Sequence, residues 1–147
     1  MRVRMKLSFA GLLLSALAGT ALAQGATRSA CFENAGLKDR IRISYAINDA
    51  RVTGEWIVER DYDATQAEKF AFTGTLSGAT LSVQFTGRAI PDSLPPLTTS
   101  MPKREQHAWT LATVQNKPVL RVEQYGRNYQ TNAYGNYFAD YPACTAG

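Results

Sequence analysis

The tightest constraint on this chain is a strict two-residue alternation repeated on both sides of short turns. Ile41, Ile43, Tyr45 and Ile47 alternate with Arg42, Ser44 and Ala46. After a turn at Asn48 to Arg51, Val52, Gly54, Trp56 and Val58 alternate with Thr53, Glu55 and Glu59. Successive side chains of a strand point to opposite faces, so this pattern describes two half-buried strands. Pairing Ile47 with Val52 places Tyr45 opposite Gly54, Ile43 opposite Trp56 and Ile41 opposite Val58. Both apolar sets then share one face, and a slip of one residue would turn one set to solvent.

Two further hairpins follow the same logic. Phe70, Phe72, Gly74 and Leu76 return through Ser77-Gly78-Ala79-Thr80 to Leu81, Val83 and Phe85. Gly78 suits the first position of a two-residue type II′ turn, which pairs Leu76 with Leu81 and Phe72 with Phe85. Trp109, Leu111 and Thr113 return through Asn116-Lys117 to Leu120, Val122 and Gln124, with Val114, Val119 and Tyr125 on the opposite face. The chain is therefore expected to be all-β: a small antiparallel meander of six to eight strands, closed as a β-barrel or packed as a two-sheet sandwich. The segment after Gly126 is expected to supply one or two closing strands. Gly54 and Gly74 read as bends or as spaces into which aromatic rings pack. Ser29 to Asp39 reads as a short helix capped at Ser29, and Ala64 to Lys69 as another turn.

Residues 1–23 read as a cleavable secretory signal: a basic start through Lys6, an apolar run from Leu7 to Ala18, and Ala21-Leu22-Ala23 before the cut. Residues 24–147 then form a single β domain, periplasmic or secreted. The apolar run is shorter than the ~20 residues a membrane-spanning helix needs, and no later stretch is longer. Of 147 residues, 16 are basic and 12 acidic; removing Arg2, Arg4 and Lys6 leaves thirteen basic residues against twelve acidic ones, interspersed along the chain. That balance argues against nucleic acid as a partner. Cys31 and Cys144 are the only cysteines, and in an exported chain an even pair near both mature ends points to one disulfide tying the termini.

Catalytic and metal-binding patterns fail on their spacing. His107 is the single histidine, at the start of a strand. Ser100-Met101-Pro102-Lys103 has the S-x-x-K form but stands in the proline-rich stretch from Arg88 to Gln106, without companion motifs. Gly74-Thr75-Leu76-Ser77-Gly78 lies in a hairpin and has the wrong spacing for a nucleophile elbow. Asp61-Tyr62-Asp63-Ala64-Thr65 opens like a calcium loop, but Gln66 replaces the turn glycine and Phe72 the bidentate glutamate, so a solvated acidic turn is the reading. Glu55 and Glu59 should point outward near Arg40 and Arg42. No enzyme, cofactor or metal site is expected.

The least ordinary feature is a run of aromatic residues and amides: Tyr125, Asn128, Tyr129, Gln130, Asn132, Tyr134, Asn136, Tyr137, Phe138 and Tyr141. Tyrosine offers contact area at low entropic cost, while hydroxyl and amide groups fix orientation. The candidate ligand-binding residues are Tyr125, Tyr129, Tyr134, Tyr137, Asn128 and Asn132, suited to a saccharide or an envelope protein. The competing reading is that these rings plug the end of the barrel. The function expected is an exported soluble binding module, with a secreted inhibitor or stress-protective protein acting on a cell-wall enzyme as the alternative. Ser77-Gly78-Ala79 echoes the S-G-x-x-Y signature of bacterial lysozyme inhibitors, but Leu81 stands at the tyrosine position and no family assignment follows.

Overall fold

The computed structural model describes residues 25–95, 106–128 and 130–145. The expected secretory signal, Tyr129 and the S-x-x-K stretch lie outside them. Eight strands run in sequence order: β1 (Arg28–Ala35), β2 (Asp39–Asn48), β3 (Arg51–Arg60), β4 (Glu68–Ser77), β5 (Thr80–Phe85), β6 (Gln106–Val114), β7 (Lys117–Asn128) and β8 (Ala133–Pro142). A single 3-10 turn, Ala64–Gln66, joins β3 to β4. All eight belong to one antiparallel sheet in which every strand pairs with its sequence neighbours. The sheet curls into a half-barrel, so of the two architectures expected the sandwich is excluded.

The registers follow the side-chain alternation. Ile47 pairs with Val52, Tyr45 with Gly54, Ile43 with Trp56 and Ile41 with Val58. Leu76 pairs with Leu81 and Phe72 with Phe85, across a turn in which Gly78 has a φ of 59°. The concave face is filled by Trp56, Trp109, Tyr141, Phe72 and Phe85, surrounded by Ile43, Val52, Leu81, Leu120 and Val122. Their rings meet edge-on: Phe72 and Trp109 at 5.3 Å between centroids, Trp56 and Tyr141 at 5.8 Å. Gly54 is the space expected of it, since a Cβ there would lie 2.5 Å from Phe72 Cζ and 2.7 Å from Tyr45 Cβ. Gly74 leaves room for the backbone of Ser82 on the neighbouring strand.

Three local expectations are corrected. Ser29 to Asp39 is not a helix: β1 occupies Arg28–Ala35 and pairs with β2 along its whole length, Phe32 opposite Ile43. Phe32 is buried and stacks on Tyr45 with centroids 6.1 Å apart, a contact that outweighs local helix propensity. Leu37 is left fully exposed in the following turn. The third hairpin turns one residue earlier than expected, with Gln115 at φ 50° and Asn116 at φ 61° between the paired Val114 and Lys117. Finally, Glu59 points outward beside Arg40, at 3.3 Å, as expected, but it is buried there rather than exposed, and Arg42 pairs with Glu33 instead.

The two ends of the meander meet through a single bridge, Phe32 with Ala143. Beside it the Cys144 amide donates to the Cys31 carbonyl at 2.9 Å, and the Cys31–Cys144 disulfide closes the seam with Cα atoms 5.3 Å apart. Part of the proline-rich stretch folds inward: Pro91, Leu94 and Pro95 are fully buried, and the Ser93 carbonyl accepts from the Tyr125 amide at 2.8 Å. Leu94 joins the core cluster alongside Tyr141, so this loop and one ring of the aromatic segment both pack inward. Asp61 and Tyr62 make the β3 turn with positive φ, and Asp63 caps the 3-10 turn through Thr65. Among the described residues no helix is long and apolar enough to cross a membrane.

Candidate functional site

The parity of β8 divides the aromatic segment. Tyr141, Ala139 and Tyr137 face the concave side, where Gln124 donates a hydrogen bond to the Tyr141 hydroxyl. Burial raises the pKa of Tyr141 well above the ordinary tyrosine range, the nearby Tyr137 adding to it and the Gln124 bond opposing it. Tyr137 lies past the core at the rim, over Gly126, whose missing Cβ would stand 3.3 Å from the Tyr137 Cε1. Tyr134, Asn136, Phe138 and Asp140 face the convex side, opposite Arg127, Tyr125, Glu123 and Arg121. The rings of Tyr125 and Tyr134 lie 6.2 Å apart. Tyr134 is 68% exposed and Phe138 70%.

Asn128 and Asn132 shape the hairpin turn. Asn128 Oδ1 accepts from the amides of Gln130 at 2.9 Å and Thr131 at 3.3 Å, and its carbonyl accepts from the Asn132 amide at 2.8 Å. Asn132 has a φ of 59°, a conformation asparagine tolerates, and its side-chain oxygen accepts from Arg127. On the strand flanks, Asn136 donates to Glu123 at 2.9 Å. Arg121 grips Asp140 through two bonds of 2.7 and 2.8 Å; that hydrogen bonding holds the Asp140 carboxyl below the usual carboxylate range. The neighbouring rings of Tyr125 and Tyr134, and Phe138 further along the same face of β8, make up an aromatic platform on the convex face, flanked by polar pairs.

Beside the platform the convex face dips into a groove of about 890 Å³. Its lining includes Thr53, Thr73, Thr75, Ser82, Gln84 and Gln106, with Arg51 and Glu123 among the charged members. Glu123 is the cross-strand partner of Phe138, so groove and platform adjoin. A second, shallower depression of about 460 Å³ lies over β1 to β3 and shares Thr53; Cys31 and Ser44 are part of its wall. The Ser44 hydroxyl there lies 3.6 Å from the Cys31 sulfur as donor.

Sequence reasoning assembled the aromatic segment but missed the groove and left Phe138 out of the candidate site residues. The available signal was the identity of the outward residues. Threonine and serine at Thr53, Thr73, Thr75 and Ser82 stand on the outer sheet face, and such short side chains leave a depression. Among the described residues no group of three His, Cys, Asp or Glu side chains is placed to hold a metal ion. His107 is half-buried, 5.9 Å from the Phe85 ring. What this face offers chemically is stacking area, hydroxyl and amide hydrogen bonds and, among the described residues that line the groove, the cation of Arg51 and the anion of Glu123. No family model, no curated protein and no solved structure matches the chain.

Proposed function

We propose that the protein is an exported, non-catalytic binding module that recognises its ligand or partner through the convex face of β7 and β8. The observation that carries this reading is the exposure of Tyr134 and Phe138 beside a core completed without them. Large rings held on a hairpin in solvent give binding area at little entropic cost, and neither ring belongs to the buried core cluster, which Leu94 and Tyr141 help to fill. Export is supported by the reading of residues 1–23 as a signal and by the Cys31–Cys144 disulfide, which persists in oxidising compartments.

The test compares binding with stability on the same variants. The purified protein is presented to a glycan array and to a fraction of envelope proteins, alongside Tyr134→Ala and Phe138→Ala. These substitutions should weaken capture while changing stability within ~0.5 kcal/mol, as surface changes do. A clear fall in melting temperature with undiminished capture would assign the rings to packing and end the proposal.

A further inference from the structure

Resting on the reading just given, we infer that the convex groove is a binding site for an uncharged oligosaccharide chain, which lies across the strands and stacks its end on Phe138. The argument begins with registration. Ser29 pairs with Ala46, Ala46 with Thr53, Thr53 with Thr73, Thr73 with Gln84, and Gln84 with Gln106. Within the groove the row from Thr53 to Gln106 crosses four consecutive strands, β3 to β6, and at the usual strand spacing of ~4.8 Å it runs roughly 14 Å, longer than one sugar ring. Ala46 and Ser29 carry the row on into the shallower depression. The next row repeats the chemistry, with Thr75 paired to Ser82.

The groups in these rows decide the ligand. A hydroxyl donates and accepts, and so does a primary amide, which matches a ligand whose own hydroxyls do both. A polyanion would call for a surplus of cations, yet among the described lining residues one guanidinium at Arg51 is balanced by one carboxylate at Glu123. An apolar peptide would call for exposed hydrocarbon along the groove. Val52, Val83 and Trp109 also line it but are buried, and of the exposed lining residues Ala108 is apolar while Thr53, Thr73, Thr75, Ser82, Gln84 and Gln106 are polar. Sugar rings also carry apolar faces of axial C–H groups, and these need a flat surface. Phe138 supplies it at the Glu123 border, 70% exposed. Groove and platform together thus offer hydrogen bonds along the chain and one stacking position.

The test uses the full protein on an array holding uncharged oligosaccharides, acidic oligosaccharides and unrelated peptides, followed by calorimetric titration with the uncharged pentasaccharides of glucose and of N-acetylglucosamine. At least one uncharged oligosaccharide should bind. Thr73→Trp, which fills the groove from an exposed position, should weaken it by about tenfold or more, the value of one good polar contact or greater. Should Thr73→Trp fail to fold, Gln84→Ala removes an amide from the same row without any packing to lose and should weaken binding several-fold. Binding confined to acidic glycans, no glycan binding at all, or affinity indifferent to both groove substitutions overturns the inference. If no sugar binds but Tyr134→Ala and Phe138→Ala abolish capture of an envelope protein, the binding-module reading stands and the oligosaccharide site falls. If nothing binds in either format, both fall.

Discussion

Replacing both cysteines, Cys31→Ser with Cys144→Ser, tests what holds the curled sheet closed. The bridge spans 113 residues, and the loop-closure entropy removed from the unfolded chain corresponds to about 4.8 kcal/mol at 25 °C. Delivered stabilisation is commonly lower, from ~2 kcal/mol upward. Among the described residues these ends are otherwise joined by one bridge between Phe32 and Ala143, one backbone bond from Cys144 to Cys31, and the packing of Phe32 and Tyr141 in the common core. The cysteines pack on the half-buried convex face, so serine creates no large core cavity. We expect a loss of about 2 to 5 kcal/mol, or roughly 8 to 20 °C in melting temperature at about 4 °C per kcal/mol for a domain of this size. Urea denaturation of the oxidised protein and the variant measures it. The variant should also show a larger denaturant slope, because its unfolded state expands further. A difference below ~1 kcal/mol with equal slopes would refute the argument that this crosslink chiefly restrains the unfolded chain.

Trp56→Ala should cost about 3 to 5 kcal/mol as a buried aromatic is lost, whereas Glu55→Ala, its exposed neighbour, should stay within ~0.5 kcal/mol; equal costs by chemical denaturation would contradict the register. Gly54→Ala forces a Cβ against Phe72, Tyr45 and the Ser44 carbonyl and should destabilise by about 1 to 3 kcal/mol through overpacking, with a neutral result showing that the ring has room to move. For pH, the depressed Asp140 pKa means that its bond to Arg121 stabilises the fold above the ordinary carboxylate range, and this contribution is lost as pH falls through the folded-state value. Carbon-detected titration should place the Asp140 midpoint below ordinary aspartate, and Arg121→Gln should raise it; an unmoved midpoint would dismiss the pair.

The hairpins were legible because alternation and turn chemistry agree in them, down to Ile43 opposite Trp56 and the positive φ of Gly78. β1 was not, because Ser29, Glu33, Ala35 and Lys38 locally suit a capped helix, and only the pairing with β2 and the burial of Phe32 reverse that preference. The turn at Gln115-Asn116 was displaced because glutamine rarely takes positive φ, so nothing in its type announces the position. For the candidate site, composition marked the segment from Tyr125 to Tyr141, but which rings meet solvent depends on β8 parity relative to Tyr141. The groove was invisible for a different reason. Periodicity states which side chains point outward, and it says nothing about how deeply a curled sheet recesses them.

The buried indoles have an optical consequence. Trp56 and Trp109 are the chain's only tryptophans, their centroids are 5.7 Å apart, and among the described residues neither Nε1 has a hydrogen-bond partner. An indole buried away from bulk solvent emits at short wavelength and resists aqueous quenchers, and two rings so close couple their near-ultraviolet transitions. The fluorescence and circular dichroism of this protein therefore report the integrity of its interior. A ligand settling on Tyr134 and Phe138 alone would leave both signals largely unchanged and has to be followed by heat, by its own chromophore, or by the resonances of those two rings, whereas one seated in the groove, whose lining includes Trp109, would disturb both signals.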